Sequence, residues 1–591
     1  MASIKIKNDE VNTIKKIEFS KPIIDYSLDN PTISIDGSNS ILINPNEPIL
    51  PVYKKTYVYP YGTIIKNVEF RITSDINQEE IEEDIQCSPN LYPPDYQFDV
   101  NKIDNRKINS LEHEDDKWFD HKISSGLING VRSIILNIMI YPVRIQDNNI
   151  YYFKNCEVKI NTDYQKCSNT FGNEIDLLII SPEEFSGNLQ TFLEHKESKG
   201  ISTTLISLDE INNSTYFPVE GRDDAEKVKY FIKNAYDEWN IRYVLLVGGR
   251  KPGISESWYM PVRYVHVFWA EETQYISDLY FADIYDGDNN FSSWDSDNND
   301  VFSEWPDVGF LQDEMDLYPD VYIGRWPCRN SFELDIIIEK TIEYENMQLQ
   351  KKIVLVGGDT FEDEGLEGEI VCDKSLEYLP DFSYEKVYGS EMKFTPKNIR
   401  DALGDGAIFM HMHGHGSPIK WGTHYPDSFD ERMDGISIKD VPWFFNDEYP
   451  ILILGGCHTA LFNISLFNQP WIYGLKITPE GLAWWFARKI GGGSIATLGY
   501  TCFPTGAPGE YGDLNSDGID EPDCVESGYG YMQLQLLKGY GVEHYEHLGE
   551  CWGYAVSTYL DAFKIPSMIW HLHTLQGFVL LGDPSLKIGG Y

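Results

Sequence analysis

Three predicted buried strands each stop just before a side chain that could take part in hydrolysis. Asp359, His415 and Cys457 follow separate apolar runs in the second half of the chain. In an open parallel sheet the carboxyl ends of the strands share one edge, so we expect these side chains to lie together. A thiol, an imidazole and a carboxylate are the parts of a cysteine nucleophile, its general base and the group that orients the base. The spacing therefore predicts hydrolysis at Cys457, with His415 as base and then acid.

The glycines beside these residues predict how a reacting carbonyl would be held. Gly455 and Gly456 precede Cys457, and Gly416 follows His415. Glycine permits sharp backbone turns and the close approach of a substrate. We expect the backbone N–H groups of Gly416 and Cys457 to bind the developing oxyanion, where loss of one donor typically costs about 100- to 1000-fold in rate.

The histidines permit a second interpretation. Alternate residues of a strand share one face, so His411, His413 and His415 could ligate zinc in a metallohydrolase. No further ligand pattern follows them, and the glycines between and after them are more typical of a loop that a substrate approaches closely. We therefore prefer the thiol mechanism and keep the zinc hydrolase as the alternative.

Alternating strands and helices must position this chemistry. From residue 173 onward, apolar runs such as 243–247 are separated by segments with helical periodicity. This is the pattern of βαβ units with a parallel sheet. A second series of apolar strands begins at Ile353, so we predict two α/β halves, 173–350 and 351–591, with the chemistry in the second.

Residues 1–165 show a different pattern, with short alternating segments between turns rich in Pro and Asn. This pattern predicts an all-β sandwich. It contains no set of residues that could form a catalytic site, so we interpret it as an accessory or regulatory domain. Residues 166–172 lose all periodicity, which predicts a linker to the α/β region.

The composition argues against several classes of partner. The 591 residues include 93 Asp and Glu against 48 Lys and Arg, for a net charge of −45, so no nucleic-acid partner is expected. No apolar run of about 18 residues occurs, so no membrane partner is expected. The nine cysteines include no C-x-x-C pair, which argues against a zinc ribbon. The polar start lacks the apolar segment of a signal peptide, so either the protein stays inside the cell or its signal has been removed.

Several motifs in a fixed order resemble the gingipain-like cysteine peptidases, a family of the caspase-like clan. They are Tyr-Ile-Gly-Arg at 322–325, Phe-Thr-Pro-Lys-Asn-Ile at 394–399, Gly-His-Gly-Ser at 414–417 with Trp421-Gly422 after it, and Leu-Leu-Gly-Asp-Pro-Ser-Leu at 580–586. The similarity covers about 172–591. It implies a caspase-like α/β catalytic domain of two subdomains, mostly with parallel sheets, of which the second carries the site.

Residue by residue, the resemblance implies that His415 is the catalytic histidine, Cys457 the nucleophile and Asp359 the third member. Arg-specific relatives look to carry Glu at the third position, so the orienting side chain is shorter here. The family is mostly secreted, which implies an extracellular site of action.

The resemblance also implies a role for the β-rich start. It looks like a propeptide that blocks the cleft until it is cut away, so the chain would be a zymogen that acts on peptide and protein substrates and is inhibited by its own pro-domain. The activation cut is expected in an exposed linker, with Lys166 as the first candidate. A basic side chain of the pro-domain is expected in the cleft, with Lys117 and Lys122 as candidates.

Substrate specificity is a further expectation from the resemblance. Arg-directed relatives place an acidic residue of the S1 pocket a short distance beyond the third catalytic member, where this chain has Val371. Glu369 and Asp373 lie within a turn or so of that position. Either one would select Arg or Lys through a charge-assisted bond.

Two acidic loops predict calcium binding, because oxygen ligands at alternate positions suit a hard cation. The second loop also has a turn glycine, Gly518. Since family members bind calcium, we expect structural calcium and no organic cofactor. A non-enzymatic alternative, a calcium-binding surface protein with an inactive peptidase fold, stays open. The ligand candidates are Asp295, Asp297, Asn299, Val301 and Glu304 in the first loop, and Asp513, Asn515, Asp517 and Ile519 in the second.

Overall fold

A computed structural model shows how these elements are arranged. The predicted linker at 166–172, including Lys166, lies outside the residues it describes. Those residues are 11–26, 31–42, 47–81, 85–87, 117–146, 148–164, 174–268, 272–306, 311–361, 365–392, 395–426, 428–466, 478–509, 512–563 and 569–591.

The described residues up to 164 form antiparallel strands around one core. The strands are β1 (Val11–Glu18), β2 (Ile23–Asp25), β3 (Thr32–Ser34), β4 (Ser40–Leu42), β5 (Leu50–Pro60), β6 (Thr63–Ile72), β7 (Ile76–Glu80), β8 (Phe119–Ile128), β9 (Val131–Ile140), β10 (Val143–Gln146), β11 (Asn149–Phe153) and β12 (Asn155–Tyr164). The larger sheets run β1-β12-β6 and β4-β5-β9-β8. Alternate residues such as Leu136 and Ile138 of β9 and Val158 and Ile160 of β12 fill the core. We keep the name pro-domain, after its predicted role, as a label for this region.

The first α/β half is built on a four-stranded parallel sheet. Its strands are β13 (Leu177–Ser181), β14 (Thr203–Ser207), β15 (Tyr243–Val247) and β18 (Tyr322–Trp326), with a short pair β16 (Tyr264–Val265) and β17 (Tyr275–Ile276) between the last two. The sheet order is β14-β13-β15-β18. Its helices are α1 (Gln190–Ser198), α2 (Leu208–Asn212), α3 (Asp224–Trp239) and α4 (Ser331–Glu345). Helix α3 is capped by Asp223, whose side chain accepts from the Glu226 N–H, and it buries Val228 and Ile232 against the sheet.

The second half contains a six-stranded sheet, ordered β20-β19-β21-β25-β26-β27, in which only β27 is antiparallel to its neighbour. Its strands are β19 (Lys352–Gly357), β20 (Ser383–Tyr388), β21 (Phe409–His413), β22 (His415–Ser417), β23 (Lys420–Tyr425), β24 (Ser428–Ser437), β25 (Ile451–Leu454), β26 (Ala496–Tyr500) and β27 (Phe578–Leu581). Strands β22, β23 and β24 form a small antiparallel sheet after β21. The helices are α5 (Glu367–Tyr378), α6 (Pro396–Leu403), α7 (Leu482–Ala487), α8 (Asp523–Glu526), α9 (Gly528–Gly541), α10 (Leu548–Ala562) and α11 (Ile569–Gly577).

The two parallel sheets meet at strands β18 and β27. A Cβ on Gly324 of β18 would lie only 2.3 Å from the backbone oxygen of Gly582, which follows β27. Glycine therefore permits the edges of the two halves to touch. Within the described part of the chain, no helix is both long and apolar enough to cross a membrane.

One helix begins later than its sequence predicts. Pro182 is a favourable first residue, and the apolar spacing after it predicts a helix to Gly200, but the structure has a single 3₁₀ turn at Glu183–Phe185 before α1 begins at Gln190. Gly187 and Asn188 lie between them, and both residue types favour turns over helix interiors. The strands β15, β25 and β27 have the bounds that their apolar runs, 243–247, 451–454 and 578–581, predict.

Candidate active site

Cys457 and His415 are brought together by two glycines. Gly456 (φ +128°) turns the chain after β25, and a Cβ there would lie 2.5 Å from the nitrogen of Gly416 and 2.7 Å from the carbonyl carbon of His415. A Cβ on Gly416 would lie 2.9 Å from the Cys457 oxygen. Side-chain atoms do not pack this closely on backbone, so only glycine permits the contact. Both reactive residues are buried.

The turn that carries Cys457 is held by the residues that follow it. His458 adopts the left-handed conformation (φ +54°), and its backbone N–H donates to the Cys502 oxygen at 2.9 Å. The Thr459 hydroxyl donates to the Gly456 oxygen at 3.1 Å. These bonds tie the end of β25 to the segment after β26, so the nucleophile lies on a braced turn.

Asp359 is joined by its backbone to strand β23, whose His424 contacts His415. The His424 N–H donates to the backbone oxygen of Asp359 at 3.1 Å, and the Thr423 hydroxyl donates to the same backbone oxygen at 2.5 Å. The rings of His424 and His415 pack edge to face with centroids 4.4 Å apart. The structure thus brings Asp359, His415 and Cys457 to one edge of the sheet. His424 was missed from the sequence because its contact arises from the antiparallel return of β23 onto β22.

The predicted oxyanion donors lie at the same junction. Gly456 immediately precedes Cys457, and a Cβ on Gly456 would lie 2.5 Å from the Gly416 nitrogen, so the backbones at Gly416 and Cys457 are neighbours. A carbonyl oxygen that enters here would meet two backbone donors beside the thiol. That arrangement is the one which stabilises a developing oxyanion.

His411 and His413 are structural residues of the core. His411 Nδ1 lies 2.8 Å from the Ser375 hydroxyl, and His413 Nδ1 lies 2.8 Å from Oε1 of Gln533. The His413 ring also stacks on Tyr529, with centroids 4.2 Å apart. Burial lowers the pKa of His411 to about 4 and that of His413 to about 3, so both stay neutral near pH 7. These two and His415, all within the described residues, form no common metal-binding group, so the zinc hydrolase is not supported.

Helix α5 begins beside the ends of strands β19 and β21, at the sheet edge that carries Asp359 and His415, which we call the catalytic edge. It also carries Glu369 and Asp373, the two acidic residues predicted to select Arg or Lys. A Cβ on Gly368, in its first turn, would lie 2.7 Å from the His413 oxygen. Glu369 is 7% exposed, and its carboxylate accepts from the N–H and hydroxyl of Ser390 at 2.9 and 2.6 Å. Burial raises the pKa of Glu369. Asp373 lies one turn further from the edge.

The other residues of α5 divide between surface and core. The Asp373 carboxylate pairs with Lys386 at 2.6 Å and accepts from the Tyr388 hydroxyl at 2.6 Å. Val371 is fully buried in a small cluster with Val525 and Leu534. Position 371 is therefore a packing position, and of the two candidates, Glu369 and Asp373, Glu369 lies nearer the start of α5.

The first acidic loop is folded around its own carboxylates. Oxygen atoms of Asp295, Asp297 and Asp313 lie within 4.8 Å of one another. Asp295 accepts from the N–H groups of Asn299 and Asp300 at 2.9 and 3.0 Å. The donor set is all oxygen, which suits a hard cation such as calcium. Asp313 joins from outside the motif, so no local spacing could have revealed it.

Other contacts complete the first loop. Arg222 forms an ion pair with Asp295. The Asn299 amide donates to Glu304 at 2.8 Å, and the Val301 N–H donates to the Asn299 oxygen at 2.7 Å. Burial alone would raise the pKa of Asp295, but the hydrogen bonds from Arg222 and from the backbone outweigh it and lower that pKa.

The second acidic loop recruits a buried glutamate. Oxygen atoms of Asp513, Asp517 and Glu526 lie within 4.8 Å of one another. Asp513 accepts from the N–H groups of Asp517 and Gly518 at 3.0 and 2.8 Å, and Asn515 accepts from Asp517 N–H at 2.9 Å. Burial raises the pKa of Glu526 to about 8, and repulsion from Asp513 and Asp517 adds to the rise. A divalent cation would relieve that repulsion.

Two positions of this loop, the predicted carbonyl ligand Ile519 and the twelfth residue, are compared with those of an EF-hand loop. The Ile519 N–H donates to the Asp517 carboxylate at 2.9 Å, so the turn is tight at the predicted carbonyl ligand. The twelfth position, where an EF-hand has its bidentate Glu, is Cys524, but Glu526 from helix α8 supplies the missing carboxylate.

The pro-domain docks on the first α/β half through β8 and β9. The Lys122 ammonium donates to the Met315 oxygen at 3.1 Å, and the Ser125 N–H donates to Asp316 at 2.8 Å. Burial lowers the pKa of Lys122, while Asp316 and Asp283 oppose that shift. Lys117, by contrast, is 46% exposed and lies 3.9 Å from Asp120 of its own domain.

The contacts of Lys122 are with residues that precede β18 in the first α/β half. The inhibitory role suggested for Lys117 or Lys122 in the cleft beside His415 and Cys457 stays a prediction.

A thiol and an imidazole, those of Cys457 and His415, thus lie at adjacent strand ends of the parallel sheet. Residues 171–589 match the family model Peptidase family C25. The chain therefore belongs to peptidase family C25, which confirms the family resemblance drawn from the motifs.

Individual relatives are distant. Gingipain R2 of Porphyromonas gingivalis is 24% identical over 290 residues, which are 46% of this chain and 31% of the relative. Gingipain R1 of the same organism is 24% identical over 290 residues, or 46% of this chain and 23% of the relative. The chain thus aligns with about a third or less of these curated relatives. The crystal structure of the Arg-specific cysteine proteinase gingipain R aligns with 72% of this chain and 80% of its own, at 19% identity and a TM-score of 0.47.

Proposed function

We propose that this protein is a cysteine endopeptidase made as a self-inhibited zymogen. The observation that carries the proposal is the contact of the His415-Gly416 backbone with the Gly456-Cys457 backbone. It supports a site in which a thiol, an imidazole and two amide donors act together at the sheet edge, as nucleophilic hydrolysis requires. Family membership supports the same reaction class.

The mechanism uses this chain's own groups throughout. His415 takes the proton of the Cys457 thiol, and the thiolate attacks the peptide carbonyl while the Gly416 and Cys457 amides bind the oxyanion. His415 then gives its proton to the leaving amine, which leaves a thioester on Cys457. Water, deprotonated by His415, hydrolyses the thioester and restores the thiol. Asp359 orients the imidazole throughout, and the His424 ring packs against the His415 ring.

Self-cleavage tests the proposal directly. The full chain and its Cys457→Ala variant are incubated with calcium, and intact masses and new N-termini are read. Only the parent should be cut, within the segment 165–173, and the residue before the cut would test Lys166 as the activation site. Cys551→Ala, which removes another buried thiol, is the matched control and should be cut like the parent. Equal cutting of parent and Cys457→Ala would refute the mechanism.

Specificity for Arg or Lys at P1 is assigned to Glu369. Its burial beside the catalytic edge and its carboxylate, held by Ser390, support this choice over Asp373. Glu369→Gln should raise KM for Arg and Lys peptides at least about ten-fold, since a charge-assisted bond becomes a neutral one. Peptides with a neutral P1 residue should be unaffected. Asp373→Asn, one turn away, is the matched control.

Calcium is proposed as a structural ion at both acidic loops. Their carboxylates suit a hard cation, and sites of this kind in extracellular modules have dissociation constants of about 0.1–1 mM. Such affinities would fit a protein that works outside the cell, as we also propose. Isothermal titration with calcium should detect sites that Asp513→Asn and Asp295→Asn remove separately.

A further inference from the structure

A glutamate of the first α/β half lies beside the turn that carries the nucleophile. The side chain of Glu272, in the segment before β17, is 9% exposed. Its Oε1 lies 2.7 Å from Nε2 of His458, the residue that directly follows Cys457. Because an ionised carboxylate only accepts, the hydrogen of this bond is on Nε2. The first half thus holds the residue next to the nucleophile of the second half.

The second oxygen of the Glu272 carboxylate is bound as well. Oε2 accepts from the Phe503 N–H at 3.2 Å. The Phe503 ring in turn packs edge to face on the His458 ring, with centroids 4.5 Å apart. Each carboxylate oxygen therefore receives an N–H, and a glutamine in this place could accept only one of the two because its other terminal atom is a donor.

The segment that carries Glu272 is itself fixed to the second half. The Thr501 hydroxyl, just after β26, donates to the Ile276 oxygen at 2.6 Å. The Tyr275 hydroxyl donates to Oε1 of Gln576 in helix α11 at 2.9 Å. Tyr275 and Ile276 are both buried. The position of Glu272 relative to the nucleophile turn is therefore held by contacts in the core.

His458 needs this support because of its backbone conformation. Its φ of +54° lies in the left-handed region, which few residues other than glycine adopt. Such conformations persist where the surroundings fix them. The His458 N–H is bound to the Cys502 oxygen, and its ring is held by Glu272 and Phe503. Since Cys457 is joined to His458 by a peptide bond, a rotation of His458 would move the thiol.

We infer that Glu272 is a positioning residue for Cys457, which it holds in place through the His458 ring. The inference rests on the proposed function, and it gives the first α/β half a part in the active site. The two side chains of the contact are 186 positions apart in the chain, so no local spacing indicates the pair. Misplacement of a reacting group by about 1 Å can cost about 100-fold in rate, so the contact should affect kcat and not substrate binding.

Glu272→Gln tests the inference, because it keeps the side-chain volume but loses one acceptor. In protein cut by incubation with calcium, kcat for a peptide substrate should fall about 100-fold while KM changes by less than about two-fold. His458→Asn, which tolerates the left-handed conformation but is too short to reach Glu272, should lower kcat similarly. The double variant should lose no more than either single variant. A trace of parent completes the cut in slow variants, and Cys457→Ala treated in the same way gives the background rate.

Glu550→Gln is the matched control, because Glu550 of helix α10 also joins the two halves. Its carboxylate accepts from the Arg242 guanidinium at 2.6 Å and from the Tyr243 hydroxyl at 3.0 Å, and its side chain is 11% exposed. Strand β15 begins at Tyr243, so this contact lies at the sheet edge opposite the catalytic edge. Glu550→Gln should lower Tm but leave kcat unchanged. A loss of kcat equal to that of Glu272→Gln would overturn the inference.

The remaining outcomes separate this inference from the proposed function. Unchanged kcat in Glu272→Gln, or a change confined to KM, overturns the positioning role and leaves the peptidase intact. If the parent hydrolyses peptides no faster than Cys457→Ala, the proposed function fails, and the rate of Cys457 alkylation by iodoacetamide, read by peptide mass, decides the positioning role. A change of about ten-fold or more in Glu272→Gln but not in Glu550→Gln supports it. A rate equal to that of the parent, or altered equally in both variants, overturns it.

Discussion

The backbone of Asp359 is fixed by strand β23. Its oxygen receives two hydrogen bonds from β23, so its backbone position is fixed independently of what the carboxylate does. A substitution that keeps the side-chain volume should therefore preserve the fold. The effect of the Asp359 carboxylate on the orientation of His415 can therefore be measured separately from any effect on the fold.

Asp359→Asn should lower kcat at least ten-fold and up to about 10⁴-fold, because an amide holds the wrong tautomer of a catalytic imidazole. KM should change little. Asp359→Glu keeps the charge and should recover most of the loss. Asp381→Asn, at an exposed carboxylate, serves as the control. Equal kcat for Asp359→Asn and the parent would remove Asp359 from the mechanism.

Gly416→Ala should reduce stability and activity together. Its Cβ would lie 2.2 Å from Cγ2 of Thr459, and overpacking of this kind costs about 1–3 kcal/mol. Gly187→Ala provides the contrast, because nothing lies within 4 Å of a Cβ there. Denaturant unfolding and peptide hydrolysis measure both variants. A neutral Gly416→Ala would mean that the backbone contact at Cys457 is looser than described.

The residues found from sequence share one property, which is that strand ends and local spacing identify them. Cys457 and His415 follow apolar runs, and Asp513 and Asp517 lie in one short loop. The residues that were missed, such as His424 and Glu526, reach their sites only through tertiary folding. Spacing along the chain carries no information about such partners.

At the level of elements, the second acidic loop and helix α8 act as one unit. Helix α8 brings Glu526 into the loop, where its Oε2 accepts from the Leu514 N–H at 2.7 Å. Its raised pKa has a definite consequence for stability. A carboxyl group whose pKa is raised by folding stabilises the folded state at low pH, and this contribution is lost as pH rises toward the folded value of about 8.

Calcium should therefore stabilise the protein more as the pH increases. We expect the calcium-induced rise in Tm to grow between pH 5 and pH 8, since a cation replaces the proton that Glu526 loses. Differential scanning calorimetry with and without calcium measures the effect. Glu526→Gln should flatten the dependence on pH, whereas Glu521→Gln should retain it. A calcium effect independent of pH would contradict the assignment of Glu526.

The sequence predicts strand β9 itself but not the burial of both of its faces. The run Ile134-Ile135-Leu136 is continuously buried, although the pattern on its own predicts a strand with one wet face. Leu136 packs in the pro-domain core, whereas Ile135 belongs to the core of the α/β region. The sequence indicates a strand correctly, but its second face is explained only by the docked domain.

At the scale of the whole molecule, the pro-domain is fastened by a lysine among carboxylates. Lys122 enters the first α/β half, where Asp283 and Asp316 attract its charge. Burial raises the pKa of Asp316 well above its usual range and that of Asp320 to about 8. These acids are therefore poorly solvated while the pro-domain is in place, and they depend on pro-domain donors such as the Ser125 N–H.

Lys122→Ala should weaken this docking. Losing one partner of a buried polar group costs about 1–3 kcal/mol, or roughly 5- to 150-fold in the docking equilibrium. The uncut zymogen should then show higher basal hydrolysis and earlier self-cleavage. Lys117→Ala, at an exposed lysine of the same domain, should match the parent. Unchanged latency in Lys122→Ala would place the restraint elsewhere.

Because strand β9 packs both in the pro-domain core and in the core of the α/β region, cleavage of the chain and release of the pro-domain are separate events. Cutting the chain between 164 and 174 would break a covalent connection, but Ile135 and Leu127 would remain embedded in cores of the α/β region. Severed pro-domain would stay bound until it dissociates at its own rate. Activity should consequently lag behind cleavage, and dilution should increase the fraction that becomes active because it prevents the severed pro-domain from rebinding.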